Sequence, residues 1–302
     1  MRKTDISRRQ FLVRTAAVAG GLVASPIAAR AAAYAPKRTA VDQMTLGHTG
    51  VKLSRLGFGT GTKGGSVQRA LGQDGFTRLL RYGYDQGITY IDTAQAYRTH
   101  EMVGQAIKGL PREKLFIQSK MPGTPENPLE VLDRYRKELG VEYIDSLLVH
   151  CVVEADWDER RKRILDALQE AKDKQIIRAH GVSCHSLPAL KRSVELDWVD
   201  VHLVRINPQG VLMDTPSASW NARSDASHVP PVMEQVKLMR EKKRGVIGMK
   251  LIGEGAFVNA EDREKAIRFT MQSDATDAVV IGFKSTGEID EAIARINSAL
   301  AV

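Results

Sequence analysis

The chain has 302 residues, 43% of them hydrophobic and 26% charged, with a formal net charge of +8. That length suffices for a large domain whose core holds without disulfides or metals. Residues 1–33 carry Arg2, Lys3, Arg8, Arg9, Arg14 and Arg30 against Asp5 alone, so only about +3 belongs to the rest, and no basic stripe interleaves with aromatics. This argues against nucleic acid as a partner, and two cysteines, Cys151 and Cys184, make neither a disulfide framework nor a zinc pattern.

The opening segment reads as an address. Ser7-Arg8-Arg9-Gln10-Phe11-Leu12 is followed by an alanine- and valine-rich run from Thr15 to Ala24, then Pro26 and the small-x-small patterns Ala29-Arg30-Ala31 and Ala31-Ala32-Ala33. The run is half the roughly 20 apolar residues that span a bilayer, and no other stretch qualifies, so no stable membrane span is expected. The S-R-R-x-F-L run resembles a twin-arginine (Tat) signal peptide, with Val13 where a lysine is usual. The resemblance implies a cleaved signal over residues 1–33, the Tat export machinery as a partner, and a periplasmic or otherwise exported location. That route carries folded proteins, which is compatible with a cofactor loaded before crossing.

Residues 34–302 read as one domain. It starts with a hairpin whose short apolar arms, Met44 to Leu53, flank Gly47-His-Thr-Gly50. Eight apolar runs follow as candidate strands: Leu56–Thr60, Ile88–Thr93, Leu115–Lys120, Ile144–His150, Ala179–Cys184, Asp200–Ile206, Val246–Leu251 and Ala278–Phe283. Segments of helical period alternate with them: Gly75–Gln86, His100–Lys108, Pro128–Leu139, Asp158–Lys174, Leu187–Leu196, Val232–Lys243, Ala260–Gln272 and Ser285–Leu300. Pro128 and Pro188 sit where helix starts tolerate proline. The strands are apolar on both faces, as in a parallel sheet covered by helices. This alternation predicts an α/β fold, a (β/α)8 TIM barrel with a short N-terminal β-hairpin. An open doubly wound sheet is the competitor, but no helix starts at the last glycine of Gly57-Phe-Gly-Thr-Gly61, as its phosphate turn requires. The one long irregular connection, Asn207 to Pro231, holds Trp220, read either as a pocket wall or as a loop anchor.

In such a barrel the chemistry collects at the C-terminal strand ends. The second strand ends near Asp92, with Tyr97 five residues on; the third ends in Lys120 and the fourth in His150. An acid, a phenol, an amine and an imidazole on one rim form a chemical unit. Carbonyl reduction needs a hydride to carbon and a proton to oxygen. A phenol of pKa ~10 is a weak acid for that, and an adjacent ammonium is expected to lower it. Asp92 would hold Lys120, Lys120 would tune Tyr97 as proton donor, and His150 would aim the carbonyl. No His-x-His pair stands at a strand end, so no metal site is expected.

The pattern resembles the aldo-keto reductases, whose tetrad is Asp, Tyr, Lys and His in this order. The matching segments are Leu56-Gly-Phe-Gly-Thr60, Tyr90-Ile-Asp-Thr-Ala94 through Tyr97, Gln118-Ser-Lys120, Asp145-Ser-Leu-Leu-Val-His150, Gly181-Val-Ser183 and Gly248-Met-Lys250. The resemblance implies an NAD(P)H-dependent reductase of aldehydes or ketones, with a small-molecule carbonyl as substrate. It implies Asp92, Tyr97, Lys120 and His150 as catalytic residues. Gly59, Thr60, Gly61, Asp92, Ser183, Asn207, Leu251, Lys284 and Ser285 are then the cofactor contacts. The chain departs from the pattern at Cys184, Leu203 and Ile206, where the family places Asn, Gln and Tyr beside the nicotinamide. Near the expected 2′-phosphate contacts stand Glu288 and Ala292, so NADPH or NADH stays open, with Glu288 arguing against NADPH. Cys151 and Cys184 stand at neighbouring strand ends and are read as two packed thiols or as a pair. The chain ends just after the eighth helix, and a pocket without a long C-terminal covering loop is expected. The competing function is a non-catalytic, cofactor-binding regulatory or sensor subunit of the same fold.

Overall fold

The computed structural model describes residues 37–301. The expected export segment, residues 1–33, lies outside the described residues.

A hairpin comes first. β1 (Gln43–Thr45) and β2 (Lys52–Ser54) pair antiparallel, with Met44 opposite Leu53. Its turn presses on other backbone. Gly47 has φ +49°, and a Cβ there would stand 2.2 Å from the Gly245 nitrogen. The Gly47 N–H also donates to Asp277 Oδ2 at 3.0 Å.

Eight parallel strands then close a barrel: β3 (Leu56–Gly59), β4 (Tyr90–Asp92), β5 (Phe116–Met121), β6 (Ile144–Val152), β7 (Ile177–Cys184), β8 (Val201–Arg205), β9 (Gly245–Met249) and β10 (Ala278–Gly282). β10 completes the ring against β3, with Gly282 opposite Gly59. The expected (β/α)8 barrel with its N-terminal hairpin is therefore the observed architecture. Strand alternation divides its apolar residues into two layers. Ile91, Ile117, Leu147, Val149 and Val182 join the layer under the helices. Tyr90, Phe116, Leu148, Val201, Ile247 and Ala278 pack on the axis with Leu46 and Leu53 of the hairpin. A one-residue slip would exchange the two sets, and full burial of each such side chain is worth roughly 1.5–3 kcal/mol, so the register is strongly held.

The covering helices are α1 (Ser66–Arg69), α2 (Gly72–Asp85), α3 (His100–Ile107), α4 (Pro128–Leu139), α5 (Trp157–Arg160), α6 (Lys162–Asp173), α7 (Leu187–Glu195), α8 (Val229–Glu241), α9 (Ala260–Gln272) and α10 (Thr286–Leu300). Pro128 and Pro188 both lie in first turns, where a missing N–H costs nothing. The helix expected over Asp158–Lys174 is two pieces, because Arg161 leaves helical geometry at φ −106°, ψ 12°. The strand expected to reach Leu251 stops at Met249, because Lys250 turns left-handed at φ +62°. Among the described residues no helix is long and apolar enough to cross a membrane.

The register also sets the site. Asp92 lies opposite Gln118, and Lys120 opposite Leu148, two residues before His150. Period two then sends Asp92, Gln118 and Lys120 to the axis at the C-terminal end of the barrel.

Candidate active site

Lys120 is completely buried, so the protein has to satisfy its ammonium. Its Nζ donates to Asp92 Oδ1 and Oδ2, both at 2.7 Å, and to the Thr93 carbonyl at 2.9 Å. Burial pushes Lys120 below the ordinary lysine value, while Asp92 pulls the other way. Asp92 also accepts from Gln118 Nε2 at 2.9 Å, and that amide reaches Tyr90 Oη at 2.9 Å. Gln118 was not among the expected residues. Its signal was the two-residue spacing to Lys120 on a strand that faces the axis.

Tyr97 rides on a single 3-10 turn, Gln95–Tyr97, whose last N–H donates to the Ala94 carbonyl at 3.0 Å. Its ring centroid lies 4.8 Å from Lys120 Nζ, and it meets the His150 ring edge-on at 5.6 Å between centroids. The four expected catalytic residues are thus within one neighbourhood. The expected lowering of the phenol pKa is corrected, however. Burial, then the Asp92 charge, push Tyr97 well above the ordinary phenol value, and Lys120 Nζ donates to Asp92 and Thr93 instead of the phenol oxygen. Burial, with the Lys120 and Lys250 charges, pushes His150 down to about 3. Near neutrality the phenol therefore keeps its proton and the imidazole is uncharged, with Nδ1 buried and unpartnered.

A cavity of about 530 Å³ opens here and runs from Asp92 and Tyr97 to the start of α10. Its volume is that of a ligand pocket. Of the expected cofactor contacts, Gly59, Gly61, Asp92, Leu251 and Lys284 line it. Others stand elsewhere. Thr60 is buried, its Oγ1 2.8 Å from Thr99 Oγ1. Ser285 caps α10, its Oγ accepting from the Glu288 N–H. Asn207 is turned to its own surroundings: Nδ2 donates to the Val211 and Lys250 carbonyls at 2.7 and 3.2 Å, and Oδ1 accepts from the Val211 N–H at 3.0 Å. Trp220 is 60% exposed, and its carbonyl accepts from Arg205, which favours the loop anchor over the pocket wall. Cys151 and Cys184 are both free thiols.

A model of the aldo/keto reductase family matches residues 55–265. The chain belongs to the aldo/keto reductase family. It is 32% identical over 173 residues to the 9,11-endoperoxide prostaglandin H2 reductase of Trypanosoma cruzi, covering 53% of this chain and 56% of that one. It is 35% identical over 114 residues to an aldehyde reductase of Saccharomyces cerevisiae, covering 37% of this chain and 34% of that one. The chain spans about half the length of the curated relatives it matches. The holo form of an aldo-keto reductase from Bacillus halodurans superposes with a TM-score of 0.67 at 17% identity, covering 86% of this chain and 95% of that one, a likeness of fold.

Aldo/keto reductases take NADPH or NADH, and the residues of this one fit such an elongated dinucleotide. A Cβ at Gly61 would stand 2.5 Å from the Tyr97 ring, and one at Gly282 2.0 Å from Thr62 Oγ1, so both positions keep the cavity wall thin. Ser183 Oγ is buried at the end of β7 without a partner. Beyond the expected residues, Arg263, Glu291 and Arg295 line the same cavity from the helical side. The i, i+4 spacing of Glu291 and Arg295 was the available signal.

Proposed function

We propose that this chain is an oxidoreductase that reduces aldehydes or ketones to alcohols with NADH or NADPH, Tyr97 donating the proton. The reading rests above all on the fully buried Lys120, bonded to both Asp92 oxygens and set 4.8 Å from the Tyr97 ring. A reduced nicotinamide cofactor held in the cavity would supply the hydride for the carbonyl carbon. Tyr97, protonated at neutral pH, gives its proton to the carbonyl oxygen, and the Lys120 charge stabilises the phenolate as it forms. Asp92 holds that ammonium charged and in place. His150 is neutral, so it serves as a hydrogen-bond donor that orients the oxygen, not as the acid. A small carbonyl compound as substrate is supported by the aldehyde reductase among its relatives.

The Tyr97→Phe variant tests the assignment. We expect reduction of a simple aldehyde to be nearly abolished while nucleotide binding, read by fluorescence titration, persists. Retained turnover would remove Tyr97 as the acid. A wild-type chain that binds nucleotide but reduces no aldehyde, quinone or dicarbonyl would favour the cofactor-binding regulatory subunit instead. We further propose export by the Tat machinery, supported by Ser7-Arg8-Arg9-Gln10-Phe11-Leu12. Fractionation of cells carrying an Arg8→Lys/Arg9→Lys variant tests it, and unchanged export would refute it.

A further inference from the structure

Tyr97 is carried by very little structure of its own. Its 3-10 turn, Gln95–Tyr97, is closed by the bond from the Tyr97 N–H to the Ala94 carbonyl at 3.0 Å and by one from the Arg98 N–H to the Gln95 carbonyl at 3.1 Å. Arg98 beyond it is already left-handed, at φ +56°. So short a turn has poor hydrogen-bond geometry and needs outside support to hold one position. At its feet, Thr99 Oγ1 stands 2.8 Å from Thr60 Oγ1 and 2.9 Å from Thr93 Oγ1, all three side chains buried. On its flank, Tyr135 Oη of α4 donates to Gln95 Oε1.

A further support acts on Tyr97 itself. After β3 the chain runs along the cavity wall through Gly61, Thr62 and Lys63. It then doubles back through three successive left-handed residues, Lys63, Gly64 and Gly65, at φ +49°, +63° and +83°. Glycine takes that geometry freely, whereas Lys63 takes it at a cost. The turn comes so close to Tyr97 that a Cβ at Gly65 would meet the Tyr97 carbonyl oxygen and stand 3.0 Å from the Tyr97 Cβ. It also launches α1, whose last residue, Arg69, reaches back across it. Arg69 Nη1 donates to the Gly64 carbonyl at 3.0 Å and to the Tyr97 carbonyl. Bonds from an ionised donor are the stronger class, and the planar guanidinium fixes the two oxygens relative to each other.

We propose that Arg69 is a positioning residue for carbonyl reduction: by clasping the Gly64 and Tyr97 carbonyls it sets where the phenol stands relative to Lys120 and the cavity. It acts through the main chain of Tyr97. The inference rests on the assignment of Tyr97 as proton donor given above. A displacement of about 1 Å in a reacting group is enough to cost about 100-fold in rate.

Steady-state reduction of a simple aldehyde at saturating nucleotide, by the full chain carrying Arg69→Ala, tests it. We expect kcat to fall by at least about tenfold while the aldehyde KM stays within about threefold, a loss made in the transition state and not in substrate binding. Millimolar guanidinium ion should restore part of the lost kcat, and sodium at the same ionic strength should not. Arg69→Lys, a point charge without the planar fork, should fall between wild type and Arg69→Ala. Amide hydrogen exchange over residues 94–99 should quicken in Arg69→Ala. Gly65→Ala, which pushes on the same carbonyl, should lower kcat as well and keeps the test open if Arg69→Ala does not fold. A folded Arg69→Ala enzyme with kcat within about threefold of wild type, a loss that lies wholly in KM, or unchanged exchange over residues 94–99 would overturn the proposal. If Tyr97→Phe still abolishes reduction in that case, the assignment of Tyr97 stands without Arg69. If Tyr97→Phe retains turnover, both readings fall.

Discussion

Replacing Lys120 by methionine separates its two roles. The ammonium lies 4.8 Å from the Tyr97 ring centroid, and at an effective dielectric of about 20 that is worth about 3.5 kcal/mol to a full phenolate charge. With about half the charge developed in the transition state the loss is about 1.7 kcal/mol, so kcat should fall by about 20-fold, and by about 350-fold if the proton is fully transferred. The same change strands the buried Asp92 carboxylate, a loss of roughly 3–5 kcal/mol in stability. The double variant Asp92→Asn/Lys120→Met removes that stranded charge. It should therefore recover much of the stability without recovering the rate. Urea unfolding and steady-state reduction of a simple aldehyde at saturating cofactor read the two effects separately. A folded Lys120→Met enzyme within about threefold of wild-type kcat, a difference below 1 kcal/mol, would refute the role given to the ammonium, as would a double variant with restored kcat.

Acid should loosen the fold through buried histidines. Burial, reinforced by Arg244 and Lys242, pushes His202 down to about 3, while an unfolded histidine titrates near about 6.5. The unfolded chain takes up the proton first, so stability present above about pH 6.5 is lost as pH falls towards about 3. From about pH 7 to about pH 5 this residue alone accounts for about 1.9 kcal/mol, and urea unfolding of His202→Asn should show a drop smaller by that amount; equal drops would contradict the assignment. A methyl group at Gly61 would stand 2.5 Å from the Tyr97 ring, so Gly61→Ala should displace the phenol. A fall of about 100-fold in kcat with little change in melting temperature is expected, and unchanged kcat would show that the ring has room. Thiol titration should find two thiols in the denatured chain, with half-buried Cys151 reacting before buried Cys184 in the folded one. Loss of both thiols without reductant would instead indicate pairing.

The barrel was readable because its strands are apolar on both faces and its helices carry one apolar stripe. Asp92, Lys120 and His150 were readable as polar residues closing apolar runs, and Tyr97 as a phenol soon after one of them. The break at Arg161 was not, since neither glycine nor proline marks it. Glu288 was legible at the start of α10, but Glu291 and Arg295 were not, because helical period alone does not show which face of a covering helix borders a cavity. The sequence suggested the ammonium that could acidify Tyr97, but not the burial that outweighs it or the carboxylate that engages the ammonium. Asn207 looked like a ligand contact because its type and place were right. Only the folded loop reveals that its amide already serves Val211 and Lys250.

The hairpin makes the barrel one-ended. With Leu46 and Leu53 packed into the axial layer beneath Tyr90, Phe116 and Leu148, the path from the base of the barrel to Lys120 is filled with apolar side chains. Water has no polar route upward through that layer. Under the proposed mechanism, a proton given away by Tyr97 would have to return through the same mouth that admits substrate. Turnover and proton resupply would share one doorway, and whatever crowds the rim would slow both.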